Sequence, residues 1–344
     1  MNKVNFLDDY SEGCHPKIIE ALLESNMTTQ AAYGDDEYSN LAKKKIQKYL
    51  FDNKTEIFFV TGGTLANIIA IASALRSHEA VIAVNTGHIT RHETGAIEAT
   101  GHKVIVVEPS DGKLTVDAIE NVIKDHGHYP HMVKPRLVYI SNATEIGTIY
   151  TRKELVELSK TCKLHDLLLF MDGARLGAAL TAEENDLELK KISELVDIFW
   201  IGGTKVGALL GEAIVIPNKK LSEDFAFHIK QRGGLLAKGR VLGLQFLTLF
   251  SNDLFFDLAR SSNQMAEKLS KKIVAHGYEL EAATQSNQVF AIFPIKLIEK
   301  LETRFNFYVW QSRNNQTAVV RLITSWATQE ADVDAFIQIL KEPY

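Results

Sequence analysis

Short apolar runs recur along the first two thirds of the chain, and most are followed by a longer stretch with helical spacing of its apolar residues. The runs predict buried strands and the stretches predict helices. Repeated strand–helix units are typical of a mostly parallel sheet covered on both faces. We predict strands at residues 56–60, 80–84, 103–107, 136–141, 167–171, 197–201 and, returning antiparallel, 213–216. The intervening helices are predicted at 62–74, around 93–100, from residue 115 onward and over 151–165.

The pattern changes after Pro217. Residues 218–249 are largely helical with interrupting glycines, and residues 254–276 form a long amphipathic helix. Short strands around 289–293, 307–310 and 317–324 precede a final helix over 329–340. Strands that follow helices, apart from the main sheet, predict a smaller C-terminal α+β domain. We therefore predict a large α/β domain over residues 1–250, including an N-terminal segment that packs across both domains, and a small domain over 251–344.

Composition adds that the protein is an ordinary globular chain without a nucleic-acid or membrane surface. Of its 344 residues, 46% are hydrophobic and 24% charged, and the net charge is -5. Cys14 and Cys162 lie far apart and have no metal-ligand spacing, which favours a reducing compartment. The N-terminus carries Asp8 and Asp9 without an apolar signal segment, and no apolar run approaches the length of a membrane span. The prediction is a cytoplasmic protein.

Two motifs at neighbouring strand ends carry candidate chemistry. Asp172-Gly-Ala-Arg175 follows one predicted strand, and Gly202-Gly-Thr-Lys205 follows the next. Pyridoxal phosphate (PLP) chemistry needs such a pair: the lysine forms a Schiff base, and the aspartate holds a proton on the pyridine nitrogen. Taken alone, Asp172 could instead be a helix N-cap, and Arg175 either a carboxylate ligand or its surface ion-pair partner. In this order, the two motifs indicate a PLP site.

Three further groups are compatible with that site. Gly62-Gly63-Thr64 runs from a strand into a helix start, where backbone N–H groups can bind a phosphate or simply cap the helix. His88, just past a strand, could stack on a pyridine ring and reach a substrate proton, or be a structural loop residue. Arg321 lies inside an apolar strand and needs a partner, either a substrate carboxylate or a structural salt bridge.

Two charged segments have weaker signals. The histidines around Pro130 have no clear partner set, so we interpret them as a loop and predict no metal site. Arg240, in a glycine-rich stretch, could meet a phosphate from a neighbouring subunit or lie in a solvated turn.

Taken together, these motifs resemble the low-specificity L-threonine aldolases, PLP enzymes of fold type I (aspartate aminotransferase-like). The resemblance covers essentially the whole chain, and its motifs fall in the family's order at residues 6–10, 33–38, 62–64, 87–89, 172–176, 202–205 and 321–324. It implies PLP-dependent cleavage of L-threonine, L-allo-threonine and other β-hydroxy-α-amino acids to glycine and an aldehyde. The alternatives are β-elimination or transamination on the same fold, or a protein that keeps the fold as a PLP carrier.

The resemblance also implies roles for individual residues. By this resemblance, the catalytic residues would be Lys205, His88 and Asp172. The cofactor would also contact Gly62, Gly63, Thr64, Thr204 and, from the partner subunit, Arg240. The amino-acid substrate would be bound by Asp8, Tyr33, Arg175 and Arg321. The family builds its active sites at a dimer interface, often within tetramers, so the resemblance implies a homo-oligomer with shared sites.

Two departures from the family pattern affect the chemistry. Asp8 stands where the family commonly has a serine that touches the substrate carboxylate, and an anion there would repel that carboxylate unless it is protonated, turned away or paired. Residues 142–147 lack the histidine of the family's Asn-Thr-His motif. The catalytic base is therefore open between His88, Glu145 and Glu93, as are the preference between threonine and allo-threonine, the aldehyde range and the choice between dimer and tetramer.

Overall fold

The computed structural model describes residues 3–109 and 111–341. The strands of this part of the chain are β1 (Val4–Asn5), β2 (Glu56–Val60), β3 (Glu79–Val84), β4 (Lys103–Val107), β5 (Lys134–Ser141), β6 (Leu168–Asp172), β7 (Ile198–Gly202), β8 (Glu212–Ile216), β9 (Glu279–Leu280), β10 (Gln288–Pro294), β11 (Phe305–Asn306), β12 (Tyr308–Ser312) and β13 (Thr317–Ile323).

The helices are α1 (Pro16–Ser25), α2 (Glu37–Leu50), α3 (Gly63–Ala74), α4 (His88–Arg91), α5 (Val116–Asp125), α6 (Arg152–Leu164), α7 (Leu176–Leu180), α8 (Leu189–Leu195), α9 (Lys219–Ser222), α10 (Phe225–Gln231), α11 (Arg240–Leu249), α12 (Leu254–Ala275), α13 (Ile295–Glu302) and α14 (Glu330–Leu340). Within the described ranges no single helix is long and apolar enough to cross a membrane, although α11 and α12, bent by 68°, pass that length and composition test as a pair.

A seven-stranded sheet forms the centre of the molecule, in the order β2-β8-β7-β6-β5-β3-β4. Strand β8 runs antiparallel to both of its neighbours, and the other pairings are parallel. Every residue of β6 and β7 is buried, because helices cover both faces of the sheet. The predicted mostly parallel α/β sheet is confirmed, including the antiparallel return at residues 213–216.

One predicted helix is much shorter than expected. Instead of a helix around residues 93–100, the chain has α4 and a single 3₁₀ turn over Glu98–Thr100. Thr94 and Gly95 between them have φ angles of 50° and 74°. This left-handed backbone cannot continue a right-handed helix, so the segment turns and buries Glu93 instead.

The C-terminal part of the chain builds a second, antiparallel sheet in the order β12-β13-β10-β9. Its own apolar core includes Phe293, Leu297 and Phe336. Helix α12 joins this core to that of the large sheet, since Phe255 packs in one core and Ile273 in the other. The smaller α+β unit is therefore confirmed. The division at residues 250 and 251 stays a prediction, and the outer ends of the two predicted domains lie outside the described residues.

The N-terminal segment connects the two sheets. Strand β1 pairs in parallel with β11, and Phe6 packs in the core of the small sheet. The Phe6 carbonyl also accepts a hydrogen bond of 2.9 Å from the Ile323 N–H at the end of β13. From there the chain turns toward the carboxyl ends of the large sheet, where the candidate site lies.

Candidate active site

A cavity of about 340 Å³ opens at the carboxyl ends of the large sheet. Ligands of open α/β sheets bind at this edge, because loops of several strands converge there. The cavity is lined by eight of the twelve residues predicted for the site, namely Gly62, Gly63, Thr64, His88, Asp172, Arg175, Thr204 and Lys205. The other four, Asp8, Tyr33, Arg240 and Arg321, do not line it.

Lys205 projects from the single 3₁₀ turn that follows β7. The turn lies tight against the chain after it: a Cβ on Gly203 would come within 2.7 Å of the Gly211 carbonyl oxygen. Burial of the Lys205 amine and the positive charge of Arg175 both lower its pKa. A lowered pKa raises the fraction of neutral amine, which is the nucleophile that a Schiff base requires.

Asp172 ends β6 and is held by three donors. Its Oδ2 accepts hydrogen bonds from the Tyr139 hydroxyl at 2.6 Å and the Asn67 amide at 3.0 Å, and its Oδ1 accepts one from the Ala174 N–H at 2.9 Å. The following Gly173 is required, since a Cβ there would lie 1.7 Å from the Trp200 carbonyl oxygen. The carboxylate is thus fixed in the lining of the cavity, and it can accept a further hydrogen bond.

His88 begins α4, and its ring is oriented by Glu93. The Nδ1 atom lies 2.7 Å from Glu93 Oε1, which also accepts a hydrogen bond of 2.8 Å from Asn67. Burial alone would lower the pKa of His88, but the hydrogen bond to Glu93 and the charges of Asp172 and Glu93 outweigh it, so the pKa is raised. Because Nδ1 is engaged, Nε2 is the nitrogen available for proton transfer.

Two more carboxyl groups line the cavity. Glu145 accepts hydrogen bonds from the His88 backbone N–H at 2.8 Å and from the Ser141 hydroxyl at 2.7 Å. Burial and the charge of Asp172 raise its pKa. Glu212 was not predicted for the site, although its position at the start of an apolar strand is unusual for a glutamate.

Glu212 braces the lysine turn. Its Oε2 accepts a hydrogen bond of 2.9 Å from the Gly203 N–H, and its Oε1 accepts one of 3.1 Å from the Thr204 hydroxyl. Burial raises the pKa of Glu212 to about 8. At neutral pH this carboxyl is therefore mostly protonated, and it places no full negative charge beside Lys205.

Arg175 forms a buried ion pair with Asp9. Its Nε and Nη2 donate to the two carboxylate oxygens of Asp9 at 2.8 and 3.0 Å, a bidentate arrangement. The alternative of a surface pair with Asp172 is therefore wrong. Burial raises the pKa of Asp9, but the charges of Arg175 and Lys205 and hydrogen bonds from Arg175 and Asn287 outweigh it and lower the pKa. Asp9 was missed from the sequence because its partner lies 166 residues away.

Arg321 lies beside this ion pair, on the small sheet. Among the described residues no carboxylate forms an ion pair with Arg321, so the structural salt bridge, one of the two alternatives left open from the sequence, is not found there. Burial and then the charge of Arg175 lower its pKa, while Asp9 and Tyr10 act in the opposite direction. Arg321 is thus an electrostatic neighbour of the cavity lining, although it is not itself part of that lining.

The remaining three predicted residues have other surroundings. Asp8 Oδ1 accepts from the Tyr10 N–H at 3.2 Å and the Ser11 hydroxyl at 2.7 Å, so this carboxylate stabilises a local turn. Arg240 donates to the backbone carbonyls of Asn26 and Thr28. Tyr33 donates its N–H to the Ala237 carbonyl at 3.1 Å, and its ring is about half exposed.

The histidine loop shows no metal-binding arrangement. The rings of His128 and His131 lie 5.0 Å apart. In the described part of the chain, no group of three or more His, Cys, Asp or Glu residues could hold a metal ion.

Comparison with known proteins identifies the family. Residues 6–295 match the beta-eliminating lyase family. The chain belongs to this family. Among its relatives, the low specificity L-threonine aldolase of Pseudomonas sp. (strain NCIMB 10558) is 35% identical over 335 residues, which are 95% of this chain and 93% of the relative. The corresponding protein of Pseudomonas aeruginosa is 34% identical over 330 residues, or 93% of this chain and 92% of the relative.

Solved structures agree. The threonine aldolase of Leishmania major superimposes with a TM-score of 0.97 at 46% identity, over 98% of both chains. The aspartate aminotransferase of Thermus thermophilus superimposes with a TM-score of 0.71 at 14% identity, over 98% of this chain and 91% of that one, a likeness that shows the fold. The protein is a lyase of PLP fold type I, as predicted, and its cofactor is pyridoxal phosphate.

The cavity of this beta-eliminating lyase fits that cofactor. Helix α3 begins at Gly63 without a side-chain cap, so its first N–H groups are free to bind a phosphate. A Cβ on Gly63 would meet the Trp200 ring at 2.8 Å, so glycine lets the helix end approach the cavity. Lys205, Asp172 and the His88 ring line the same space. The residues that would hold the aldehyde, the pyridine nitrogen, the ring face and the phosphate are all present.

Proposed function

We propose that this enzyme cleaves L-threonine and L-allo-threonine, and other β-hydroxy-α-amino acids, to glycine and an aldehyde. The observation that carries the proposal is one cavity lined by Arg175, by an aspartate with three hydrogen-bond donors and by a lysine whose pKa is lowered by burial, with Arg321 beside it. The threonine aldolases of Leishmania and Pseudomonas, to which the chain is similar over nearly its full length, support this substrate class.

In the proposed reaction, each side chain has one task. Bound PLP supplies an electron sink for the carbanion that remains when the Cα–Cβ bond breaks. Lys205 would hold the cofactor, and Asp172 would keep a proton at its pyridine nitrogen. Arg175 and Arg321 bind the substrate carboxylate, which orients the Cα–Cβ bond. His88 removes the proton from the β-hydroxyl. The oxygen electrons then form the aldehyde C=O, the Cα–Cβ electron pair stays with Cα, and a proton added at Cα gives glycine.

His88 is the base that the geometry favours. Its Nδ1 is held by Glu93, which fixes the ring and leaves Nε2 to accept a proton. Glu145 is less suited, since burial and Asp172 raise its pKa and favour its neutral form. Glu93 is buried behind the histidine and acts through it.

We further infer that the enzyme is a homo-oligomer, a dimer or tetramer, whose copies share their cavities. Gly239 lies so close to Gly34 that a Cβ on it would be 2.5 Å from the Gly34 nitrogen. The neighbouring residues, Tyr33 and Arg240, therefore lie together, and neither lines the cavity of its own chain. In a second copy, Tyr33 would contact the substrate. Arg240 would contact the phosphate through the guanidinium N–H donors that Asn26 and Thr28 leave unused. We place the enzyme in the cytoplasm, which agrees with its two free cysteines.

Product analysis tests the reaction. Purified holoenzyme is incubated with L-threonine or L-allo-threonine, and glycine, acetaldehyde, keto acids and ammonia are measured together. Equal amounts of glycine and acetaldehyde are expected. The control Lys205→Ala should lose both turnover and the visible absorbance of the lysine-linked cofactor. A keto acid as the main product would replace aldol cleavage by β-elimination or transamination.

Subunit complementation tests the shared cavity. Lys205→Ala and Arg240→Ala are each expected to be inactive, because each lacks one part of every site. Mixed oligomers of the two variants contain some cavities with both residues intact, so activity should return after subunit exchange. Mixtures that stay inactive although exchange is demonstrated would contradict the sharing of Arg240.

A further inference from the structure

Arg321 is a partly buried cation without an anionic partner in the described part of the chain. Its Nε is buried and has no hydrogen-bond partner. A guanidinium that is partly removed from water normally requires a carboxylate, because desolvation of an unpaired charge is unfavourable. Something other than a salt bridge therefore holds this side chain in place.

Two aromatic rings of β12 contact the guanidinium in place of a carboxylate. The guanidinium carbon of Arg321 lies 4.9 Å from the centre of the Tyr308 ring and 4.7 Å from the centre of the Trp310 ring. Both distances are within the range of about 6 Å in which a ring face attracts a cation. The side chain is thus contacted by two π-systems at once.

The strand register explains how both rings reach one guanidinium. Tyr308 is directly opposite Arg321 on the neighbouring strand. The pairing then shifts between Val309 and Gln311, so Trp310 is the extra residue of a β-bulge. Bulges redirect side chains next to functional sites. On the other side of β13, Phe290 is also opposite Arg321, and its ring packs edge-on against Trp310 at 5.6 Å.

Ring contacts leave the hydrogen-bonding capacity of the arginine unused. A carboxylate partner would occupy the N–H donors in the guanidinium plane, as Asp9 does for Arg175. Aromatic faces attract the cation without accepting those hydrogen bonds, so the N–H edge stays available for a ligand. An anion that enters the cavity would then meet a charge that is already oriented.

We propose that Tyr308 and Trp310 are positioning residues that hold Arg321 between their rings and so orient its N–H edge toward the carboxylate of the amino-acid substrate. This inference rests on the proposed function, because it assumes that an amino acid occupies the cavity. The rings act through Arg321 and set substrate affinity, while the bond-breaking step depends on the residues of the large sheet.

Steady-state kinetics of the holoenzyme with L-threonine are the first test. Trp310→Ala and Tyr308→Ala should raise KM about 3- to 30-fold, the fold-change that corresponds to a cation–π contact. The kcat should change less than about twofold, because ground state and transition state lose the same contact. Trp310→Phe and Tyr308→Phe keep a ring and should recover most of the affinity. Val309→Ala, between the two aromatic residues, should behave as wild type.

A double-mutant cycle with Arg321→Ala separates positioning from a general structural effect. In the Arg321→Ala background, removal of the Trp310 ring should change KM no further, because there is no cation left to hold. The same fold-change in both backgrounds would overturn the proposal, as would an unchanged KM in both single alanine variants. If Trp310→Ala fails to fold, Tyr308→Ala carries the test, since that ring is 43% exposed.

Binding of L-alanine distinguishes this inference from the proposed function. L-Alanine has the amino and carboxylate groups but no β-hydroxyl to cleave, and its dissociation constant is measured from the visible absorbance of the bound cofactor. If the wild type does not cleave threonine but the ring variants bind alanine more weakly, the inference stands and the proposed function fails. If the wild type cleaves threonine and the ring variants bind alanine normally, the inference fails.

Discussion

The two sheets supply the cavity with charged groups in opposite ways. On the large-sheet side, four ionisable groups have polar partners within the chain: Asp172 has three donors, Arg175 has Asp9, His88 has Glu93, and Glu212 accepts from Gly203 and Thr204. On the small-sheet side, Arg321 has two aromatic rings and no ion pair among the described residues. The partners on the large-sheet side fix the protonation states of the groups they contact. On the small-sheet side, Arg321 keeps a positive charge that is free to bind a ligand.

Loss of a partner on the large-sheet side should therefore be costly even without substrate. Asp9→Asn removes the anion from a buried bidentate pair and leaves Arg175 charged and uncompensated. We expect a loss of about 3–5 kcal/mol in the free energy of unfolding, measured by urea denaturation. The matched control is Asp8→Asn, whose amide oxygen can still accept from Tyr10 and Ser11. Equal free energies of unfolding for the two variants would contradict the view that charged groups on the large-sheet side depend on their partners.

The next largest effect is expected from Asp172→Asn. The amide keeps the size of the side chain but lacks the negative charge that holds a proton on the pyridine nitrogen. Turnover should fall about 10²–10³-fold, a typical effect of removing one electrostatic contact to the reacting system. The cofactor absorbance should persist, because Lys205 is intact. Asp166→Asn, at an exposed carboxylate, is the control. Near-normal turnover of Asp172→Asn would show that this partner is dispensable.

Glu212→Gln tests whether a neutral group braces the lysine turn. In the unfolded chain this carboxyl has its ordinary pKa near 4.5, whereas burial raises the pKa to about 8 in the folded chain. Between these pH values the folded state binds more protons, so this group lowers the free energy of unfolding as the pH rises. Glutamine cannot ionise and should abolish that decline.

The expected gain of Glu212→Gln over wild type therefore grows by roughly 1 kcal/mol per pH unit. Urea denaturation of the cofactor-free protein at pH 6, 7 and 8 measures it. Glu299→Gln, at an exposed helix position, should follow the wild type throughout. Parallel pH profiles of wild type and Glu212→Gln would mean that the folded carboxyl ionises normally.

The smallest predicted effect is a shift of a pH profile. Glu93 raises the pKa of His88, so Glu93→Gln should lower that pKa and keep the histidine basic at lower pH. The acid limb of kcat/KM for L-threonine should move down by about 1 pH unit. Glu98→Gln, on the same segment but exposed, should leave the limb in place. An unshifted limb would argue against His88 as the base.

Sequence patterns predicted those parts of the site that depend on local order. Lys205 and Asp172 each follow an apolar run, so their place at strand ends could be predicted without knowledge of distant contacts. Asp9 could not be assigned in this way, because nothing near it indicates Arg175. The same holds for Tyr308 and Trp310, whose role depends on a register shift between two strands.

The accuracy of the fold prediction also differed from segment to segment. Strands that contain a continuous apolar run were predicted nearly to the residue, as for β2 and β8, each of which is apolar after its first residue. The segment after α4 was predicted as a longer helix, because the left-handed backbone at Thr94 has no strong sequence signal. The hydrogen bonds and ion pairs that hold the charged groups of the site join elements far apart in sequence, and local periodicity does not predict such contacts.

The N-terminal segment has a consequence for biosynthesis. Residues 4–9 are synthesised before their partners, which are Arg175, β11 and Ile323. The segment must wait for almost 320 residues of further synthesis before its last contact can form. Until then, the large sheet can fold while the contacts of this segment with β11 and β13 have not yet formed. The order of translation thus delays the docking of the segment on the small sheet until Ile323 has been made.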